Sequence, residues 1–218
     1  MFTAPLPIRA FRRLTRNLHL GLDKSYLRWN LRHVGLSNAG AIQSYTTPEE
    51  LEALFHLAED CPPKSQALEI GSHLGASTCF IGAGLAQKDG HLFCVDTWQN
   101  ETMPEGQQDT FAIFRANTAG LNGVLTPIRK RSDQLSASEI KTPLHLAFLD
   151  GDHSYDATRK DFDLVEPWMA PEGTIAFHDC RYFKGVSRVI GEVLAAGQWS
   201  IAGYRGNLMW LKRARWKG

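Results

Sequence analysis

The alternation of short apolar runs with helix-like segments constrains the fold of this chain more than any other feature. Strand-like segments lie at 67–70, 91–95, 124–128, 144–149 and 174–177, and helix-like segments at 76–86, 109–119, 157–168 and 186–196. Continuously apolar runs such as residues 146–149 are typical of parallel strands that are covered by helices on both faces. The pattern predicts a Rossmann-like, doubly wound α/β domain.

The C-terminal region predicts how this sheet closes. Segments 199–202 and 208–212 are strand-like and are separated by Gly203 and Gly206. Such spacing predicts a closing pair of strands, one of them antiparallel to the rest. We therefore expect a mostly parallel, seven-stranded sheet. Before the sheet, Pro48 after Thr47 predicts the start of a further helix that ends near residue 60.

The length and composition favour one domain with an N-terminal extension. A chain of 218 residues with 43% hydrophobic content is sufficient for one substantial core. We assign residues 41–218 to the domain and 1–40 to a basic, amphipathic helical extension. Within 1–35, seven arginines and lysines stand against the single acid Asp23. Two interpretations stay open: the extension packs on the domain or on another subunit of a homo-oligomer, or it binds an anionic membrane surface.

The overall charge and the cysteines bear on partners and compartment. The 24 basic and 23 acidic residues nearly cancel, so the charge balance does not call for nucleic acid, and we expect none as a partner. The four cysteines form no C-x-x-C pair, which predicts buried thiols in a reducing compartment. We expect a cytoplasmic protein, with peripheral membrane attachment as the alternative.

A glycine-rich turn follows the first strand of the predicted sheet. In residues 67–78 an apolar strand runs into a turn that opens a helix, which makes a ligand crevice at the carboxyl edge of a parallel sheet. Asp96 ends the next strand, where a carboxylate can accept hydrogen bonds from ribose hydroxyls. His73 and Ala76 occupy the second and third glycine positions of a dinucleotide fingerprint. A nucleoside without pyrophosphate, such as S-adenosylmethionine (SAM), therefore fits better than NAD or FAD.

Polar residues also follow two later strands. Asp150, Asp152 and His153 come directly after the segment 144–149, and His178 with Asp179 ends the next strand. Because the carboxyl ends of parallel strands share one edge, we expect these side chains to converge. Aspartates can hold a hard divalent cation, and a histidine can remove the proton of an acceptor hydroxyl.

These motifs, in this order, resemble those of the class I SAM-dependent methyltransferases. The matching stretches are Glu69-Ile70-Gly71 with Gly75, Asp96-Thr97-Trp98, Asp150-Gly151-Asp152-His153-Ser154-Tyr155, Pro171-Glu172-Gly173 and His178-Asp179. The resemblance covers about residues 45–200. It is most specific for a subfamily with an Asp-Gly-Asp-His-Ser-Tyr signature, which is similar to metal-dependent sugar O-methyltransferases.

The resemblance implies a role for each matching residue. Those implied in cofactor binding are Glu69, Gly71, Ser72, Gly75, Ser77, Asp96, Thr97, Ser132, Asp133 and Asp150. Glu69, Gly71 and Gly75 would hold the methionine end of SAM, Asp96 the ribose, and Ser132 with Asp133 the adenine.

The resemblance also implies the catalytic and metal-binding residues. His153 and Asp150 are the candidate catalytic residues, with His153 as the base. Asp150, Asp179 and His178 are the candidate ligands of Mg²⁺ or another divalent cation. His178 and Cys180, on either side of Asp179, depart from the acidic or amide residues of the relatives.

We therefore expect a SAM-dependent methyltransferase that methylates a hydroxyl of a sugar or another small molecule with the help of a divalent metal. Two alternatives stay open. One is a metal-independent methyltransferase that acts on nitrogen or on a carboxylate. The other is a non-catalytic SAM-binding module that the N-terminal extension tethers to a membrane or a partner.

Overall fold

A seven-stranded sheet forms the centre of the computed structural model, which describes residues 20–101 and 105–214. The strands are β1 (Gln66–Ile70), β2 (His91–Asp96), β3 (Leu125–Arg129), β4 (Leu144–Leu149), β5 (Met169–Phe177), β6 (Trp199–Arg205) and β7 (Leu208–Arg213). Their order is β3-β2-β1-β4-β5-β7-β6. The first five strands are parallel, and β7 is antiparallel to both of its neighbours. The predicted mostly parallel sheet with one antiparallel strand near the C-terminus is confirmed.

Helices cover both faces of the sheet. They are α1 (Leu20–His33), α2 (Pro48–Glu59), α3 (Ala76–Ala86), α4 (Phe111–Asn117), α5 (Tyr155–Val165) and α6 (Lys184–Ala195). Helices α5 and α6 share a buried apolar cluster with one face of the strands, and α2, α3 and α4 share another with the opposite face. Burial on both faces explains the continuously apolar strands of the sequence.

Helix α1 contributes to the packing of the domain. Its Leu27 and Leu31 are buried in a cluster that includes Leu51 and Phe55 of α2 and Phe80 of α3. The earlier part of the predicted basic helix, through residue 19, lies outside the described residues. In the ranges 20–101 and 105–214, no helix has the length and apolar character needed to cross a membrane.

The observed bounds differ from the predicted ones mainly at element ends. Helix α5 ends at Val165 and not at 168, because Pro167 has no backbone N–H to continue the α-helical hydrogen bonds and a 3₁₀ turn follows. Strand β5 begins at Met169, five residues before the predicted start at Thr174. Its first half contains Pro171 and Gly173, which hide the apolar pattern of a strand.

Candidate active site

The turn after β1 is built over a buried glutamate. Glu69 is fully buried and accepts hydrogen bonds from the hydroxyls of Ser72 (2.8 Å), Ser77 (2.6 Å) and Thr78. Burial raises the pKa of Glu69 to about 7, although the three hydroxyl groups act in the opposite direction. Two residues predicted to bind the cofactor, Ser72 and Ser77, thus donate to a third, Glu69, and these hydrogen bonds hold the turn in shape.

Two glycines bring this turn against its neighbours. Gly71 has φ +88°, and a Cβ atom there would lie 2.0 Å from the carbonyl oxygen of Asp150. Gly75 has φ +90° at the start of α3, and its Cβ would lie 2.7 Å from Cγ2 of Thr118. Only glycine suits both the backbone conformation and the close approach. The predicted cofactor turn is therefore in direct contact with the end of β4, where Asp150 lies.

Asp96 joins the ends of β1 and β2. Its Oδ2 accepts a hydrogen bond from the backbone N–H of His73 (2.8 Å), and its Oδ1 accepts one from that of Trp98 (2.6 Å). The buried indole of Trp98 also donates to the His73 carbonyl (2.9 Å), a contact that the sequence did not reveal. Each carboxylate oxygen has a second lone pair, so Asp96 can still accept hydrogen bonds from a ribose.

The remaining predicted cofactor residues lie at the same edge of the sheet. Thr97 follows β2 and donates a hydrogen bond to Glu101 (3.2 Å). Ser132 and Asp133 lie on a 3₁₀ turn after β3, where Asp133 pairs with Arg131 (2.9 Å).

Ser132 faces a buried carboxyl group from α5. Burial raises the pKa of Asp161 to about 6, and a hydrogen bond with Ser132 opposes that shift. The sequence offered no reason to single out Asp161, because it lies inside a regular amphipathic helix.

A cluster of two carboxylates and a histidine lies at the ends of β4 and β5. One potential ligand atom each from Asp150, His153 and Asp179 lies within 4.8 Å of the other two. His153 Nε2 is 2.9 Å from Asp179 Oδ2 and 3.6 Å from Asp150 Oδ1. This nitrogen is buried and forms no hydrogen bond with either carboxylate. The ring of Phe183 stacks on His153 with centroids 4.3 Å apart.

This donor set fits a divalent cation. Two aspartate carboxylates supply the oxygen ligands that Mg²⁺ prefers. Burial raises the pKa of Asp179, and the neighbouring Asp150 adds to the effect, while His178 acts against it. The buried His153 Nε2 points toward these carboxylates without a hydrogen bond. A cation held by the two carboxylates would relieve their mutual repulsion and would lie beside the His153 ring.

His178 takes a different place from the one predicted. Its Nδ1 lies 3.0 Å from Asp150 Oδ1, and its Nε2 lies 3.2 Å from Glu50 Oε2. Burial disfavours the charged ring, but Asp150, Asp179 and Glu50 outweigh burial and raise its pKa to about 9. A ring that donates from both nitrogens has no lone pair for a metal. The cluster with the two aspartates contains His153, whereas His178, predicted as a metal ligand, lies beside that cluster between Asp150 and Glu50.

Glu50 is the functional candidate that the sequence did not indicate. It is 1% exposed, and its carboxylate accepts hydrogen bonds from the backbone N–H groups of Asn207 (2.6 Å) and Thr47 (2.8 Å). In the sequence it is only an acid in the first turn of a helix. Its contact with His178 joins positions 128 residues apart, which no local pattern can show.

Residues 68–180 match the family described as a methyltransferase domain. The matched range includes the turn after β1, Asp96 and the Asp150, His153 and Asp179 cluster. The chain belongs to this methyltransferase family, and its fold is that of the class I SAM-dependent methyltransferases.

Solved methyltransferase structures share the fold at low sequence identity. An O-methyltransferase from Bacillus cereus in complex with S-adenosylhomocysteine (SAH) is 19% identical, with a TM-score of 0.60 over 94% of this chain and 97% of that one. The O-methyltransferase NovP is 16% identical, with a TM-score of 0.62 over 88% and 100%. CalS11, a TDP-rhamnose 3′-O-methyltransferase of calicheamicin biosynthesis, is 13% identical, with a TM-score of 0.56 over 87% and 94%.

Proposed function

We propose that this methyltransferase transfers the methyl group of SAM to a hydroxyl of a sugar or another small molecule, with Mg²⁺ or another divalent cation as a cofactor. The proposal depends mainly on one observation. The turn after β1 that contains Gly71, which we call the cofactor turn, lies next to the cluster of Asp150, His153 and Asp179. Gly71 contacts the backbone of Asp150, whose side chain belongs to the cluster with His153 and Asp179. The names of NovP and CalS11 support oxygen as the methyl acceptor, and that of CalS11 supports a sugar.

The chemistry requires alignment of the acceptor and removal of its proton. The methyl group of a sulfonium is already electrophilic, so the protein mainly has to hold the acceptor oxygen behind it. A divalent cation held by Asp150 and Asp179 would lower the pKa of the acceptor hydroxyl. His153 Nε2 faces the same space and would accept the proton, while Phe183 stacks on the ring and limits its rotation. A positioned general base contributes about 10²- to 10⁴-fold to the rate.

The cofactor would lie along the carboxyl edge of β1, β2 and β3. We assign the methionine end to the backbone around Gly71 and Gly75, the ribose to Asp96 with Thr97 beside it, and the adenine to Ser132 and Asp133. Glu69, Ser72 and Ser77 would contribute indirectly, because their hydrogen bonds hold the turn in shape.

Binding measurements separate the cofactor assignment from the acceptor. SAH should raise the melting temperature of the protein, whereas NAD should not. No shift with SAH would defeat the cofactor assignment.

A screen of methyl transfer to sugars, phenols and amines then tests the acceptor and the metal. We expect products from hydroxylated compounds, loss of activity in EDTA and recovery with Mg²⁺. Methylation of amines that persists in EDTA would contradict both parts and favour the metal-independent alternative.

We also propose a cellular compartment and a role for the N-terminal extension. We place the enzyme in the cytoplasm, which is supported by its four cysteines, all buried and free. Residues 1–35 are proposed to contact the domain, another subunit or a membrane surface, and the packing of Leu27 and Leu31 supports the first of these.

A further inference from the structure

A carboxylate from outside the matched family range contacts a histidine that borders the proposed metal site. Glu50 lies near the start of α2, whereas the family match covers residues 68–180. Its Oε2 is 3.2 Å from His178 Nε2, and His178 Nδ1 is 3.0 Å from Asp150 Oδ1. Glu50 and His178 are both almost fully buried. A continuous buried path of contacts thus leads from α2 to the candidate metal ligand Asp150.

We propose that Glu50 is a positioning residue, which orients Asp150 by fixing the ring of His178. The proposal rests on the function proposed above, since it gives Asp150 a ligand role. Glu50 itself touches neither the space between Asp150, His153 and Asp179 nor the cofactor turn. It acts through the imidazole ring that lies between two carboxylates.

The surroundings of Glu50 hold its carboxylate in one place. The backbone N–H of Thr47 donates to Oε2 and that of Asn207 donates to Oε1, so the start of α2 and the β6–β7 turn both bind it. Gly206 in that turn has φ +57°, and a Cβ atom there would lie 2.4 Å from Glu50 Oε1. The turn therefore approaches the carboxylate closely and leaves it little room to move.

Glutamine cannot replace Glu50 in this position. The carboxylate serves three donors with two oxygens: the N–H groups of Thr47 and Asn207, and the His178 ring. Glutamine has one oxygen and an NH₂ group that can only donate. One or more of the three donors would then face another donor in a buried site, which is costly. Glutamine also lacks the negative charge of Glu50, which weakens the hydrogen bond with the His178 ring. We therefore expect the ring to turn away from residue 50 in the E50Q variant and to release Asp150.

Two variants and a control test this role. Glu50→Gln changes the acceptor set, whereas Gly206→Ala keeps Glu50 and crowds its carboxylate. Glu49→Gln is the matched control, because Glu49 is the exposed neighbour in the same helical turn. Crystal structures of the three variants give the distance from His178 Nδ1 to Asp150 Oδ1. Calorimetry gives the affinity for SAH, and electron paramagnetic resonance gives the affinity for Mn²⁺.

We expect this distance to exceed about 3.5 Å, beyond hydrogen-bond reach, in E50Q and G206A and to stay at its present value in E49Q. Mn²⁺ binding should weaken by about 10- to 100-fold in the first two variants, as for other groups that orient metal ligands. SAH affinity should change less than Mn²⁺ affinity, because Glu50 makes no direct contact with the turn after β1 or with Asp96.

Some results would overturn the role of Glu50. An unchanged contact between His178 and Asp150 in E50Q would contradict it, and so would a loss of Mn²⁺ affinity in E49Q as large as that in E50Q. If E50Q does not fold, the distance from His178 Nδ1 to Asp150 Oδ1 and the Mn²⁺ affinity of G206A test the role of Glu50 instead. A wild type that binds SAH but no Mn²⁺ would instead defeat the metal part of the proposed function, and the crystallographic distance would still decide on Glu50.

Discussion

Among single residues, Gly71 is the position where we expect a substitution to reduce stability and SAH binding most. Gly71→Ala would place a Cβ atom 2.0 Å from a backbone oxygen at φ +88°. We expect a loss of about 2–5 kcal/mol in the free energy of unfolding, from overpacking and backbone strain together, and loss of SAH binding. Urea denaturation and calorimetry measure the two effects.

The control for Gly71 is a glycine with free space around it. Gly191 lies within α6, and a Cβ atom there would meet nothing within 4 Å. Gly191→Ala should leave SAH binding unchanged and stabilise the protein by about 0.5–1 kcal/mol. Equal effects of the two substitutions would contradict the close approach of Gly71 to β4.

The buried Glu69 predicts a pH dependence of stability. Its pKa is raised from 4.5 to about 7 by burial, so the folded state binds a proton more tightly than the unfolded state. The contribution of Glu69 to stability is therefore full below about pH 4.5 and is lost as the pH rises through about 7. The unfolding free energy of the wild type minus that of Glu69→Gln should therefore decrease as the pH rises from about 4.5 to about 7.

Urea denaturation at a series of pH values measures this difference, with the exposed Glu49→Gln as the control. A difference that stays constant from about pH 4.5 to about 7, within the ~0.5 kcal/mol typical of surface substitutions, would show that Glu69 is not held protonated.

Single residues were predictable where they follow a strand. Asp150, His153 and Asp179 could be placed together because parallel strands end at one edge, and their cluster was found there. The position of His178 between Asp150 and Glu50 was not predictable, since it depends on a contact with Glu50. A contact between residues 50 and 178 is decided by how α2 packs, and periodicity contains no information about it.

At the scale of elements, α1 should be part of the stable domain. Leu31 is 7% exposed and packs in the cluster with α2 and α3. Leu31→Ala should lower the free energy of unfolding by about 2–5 kcal/mol through the cavity that it leaves. Arg28→Ala on the exposed side of the same helix should change it by less than about 0.5 kcal/mol. Thermal or urea denaturation compares them, and equal stabilities would mean that α1 is dispensable for the fold.

Element types were more predictable than element bounds. The strands β1 to β4 agree with the sequence pattern within about two residues. Strands β1, β2 and β4 are the clearest because they are largely buried and apolar. The start of β5 was missed, since Pro171 and Gly173 interrupt the pattern there. The predicted helix ends differ from the observed ones where Pro167 or a local turn, and not the apolar spacing, determines where the helix ends.

At the scale of the whole molecule, the order of the strands creates the proposed site. Placing β1 between β2 and β4 brings the turn at Gly71 beside both Asp96 and Asp150. This arrangement followed from the predicted doubly wound fold, in which ligands bind at the carboxyl edge of the sheet. The identity of the acceptor does not follow from it, because one fold serves many substrates.

The affinity for SAH of the wild type, Asp96→Ala and Asp89→Ala shows whether the cofactor binds at this edge of the sheet. Asp96 joins the two strand ends of the proposed cofactor site, whereas Asp89 lies in the turn before β2. Calorimetry should show binding by the wild type and Asp89→Ala, and affinity weaker by about tenfold or more, or 1.4 kcal/mol, in Asp96→Ala. Absence of SAH binding by the wild type, or equal affinity in all three proteins, would contradict a cofactor site at this edge.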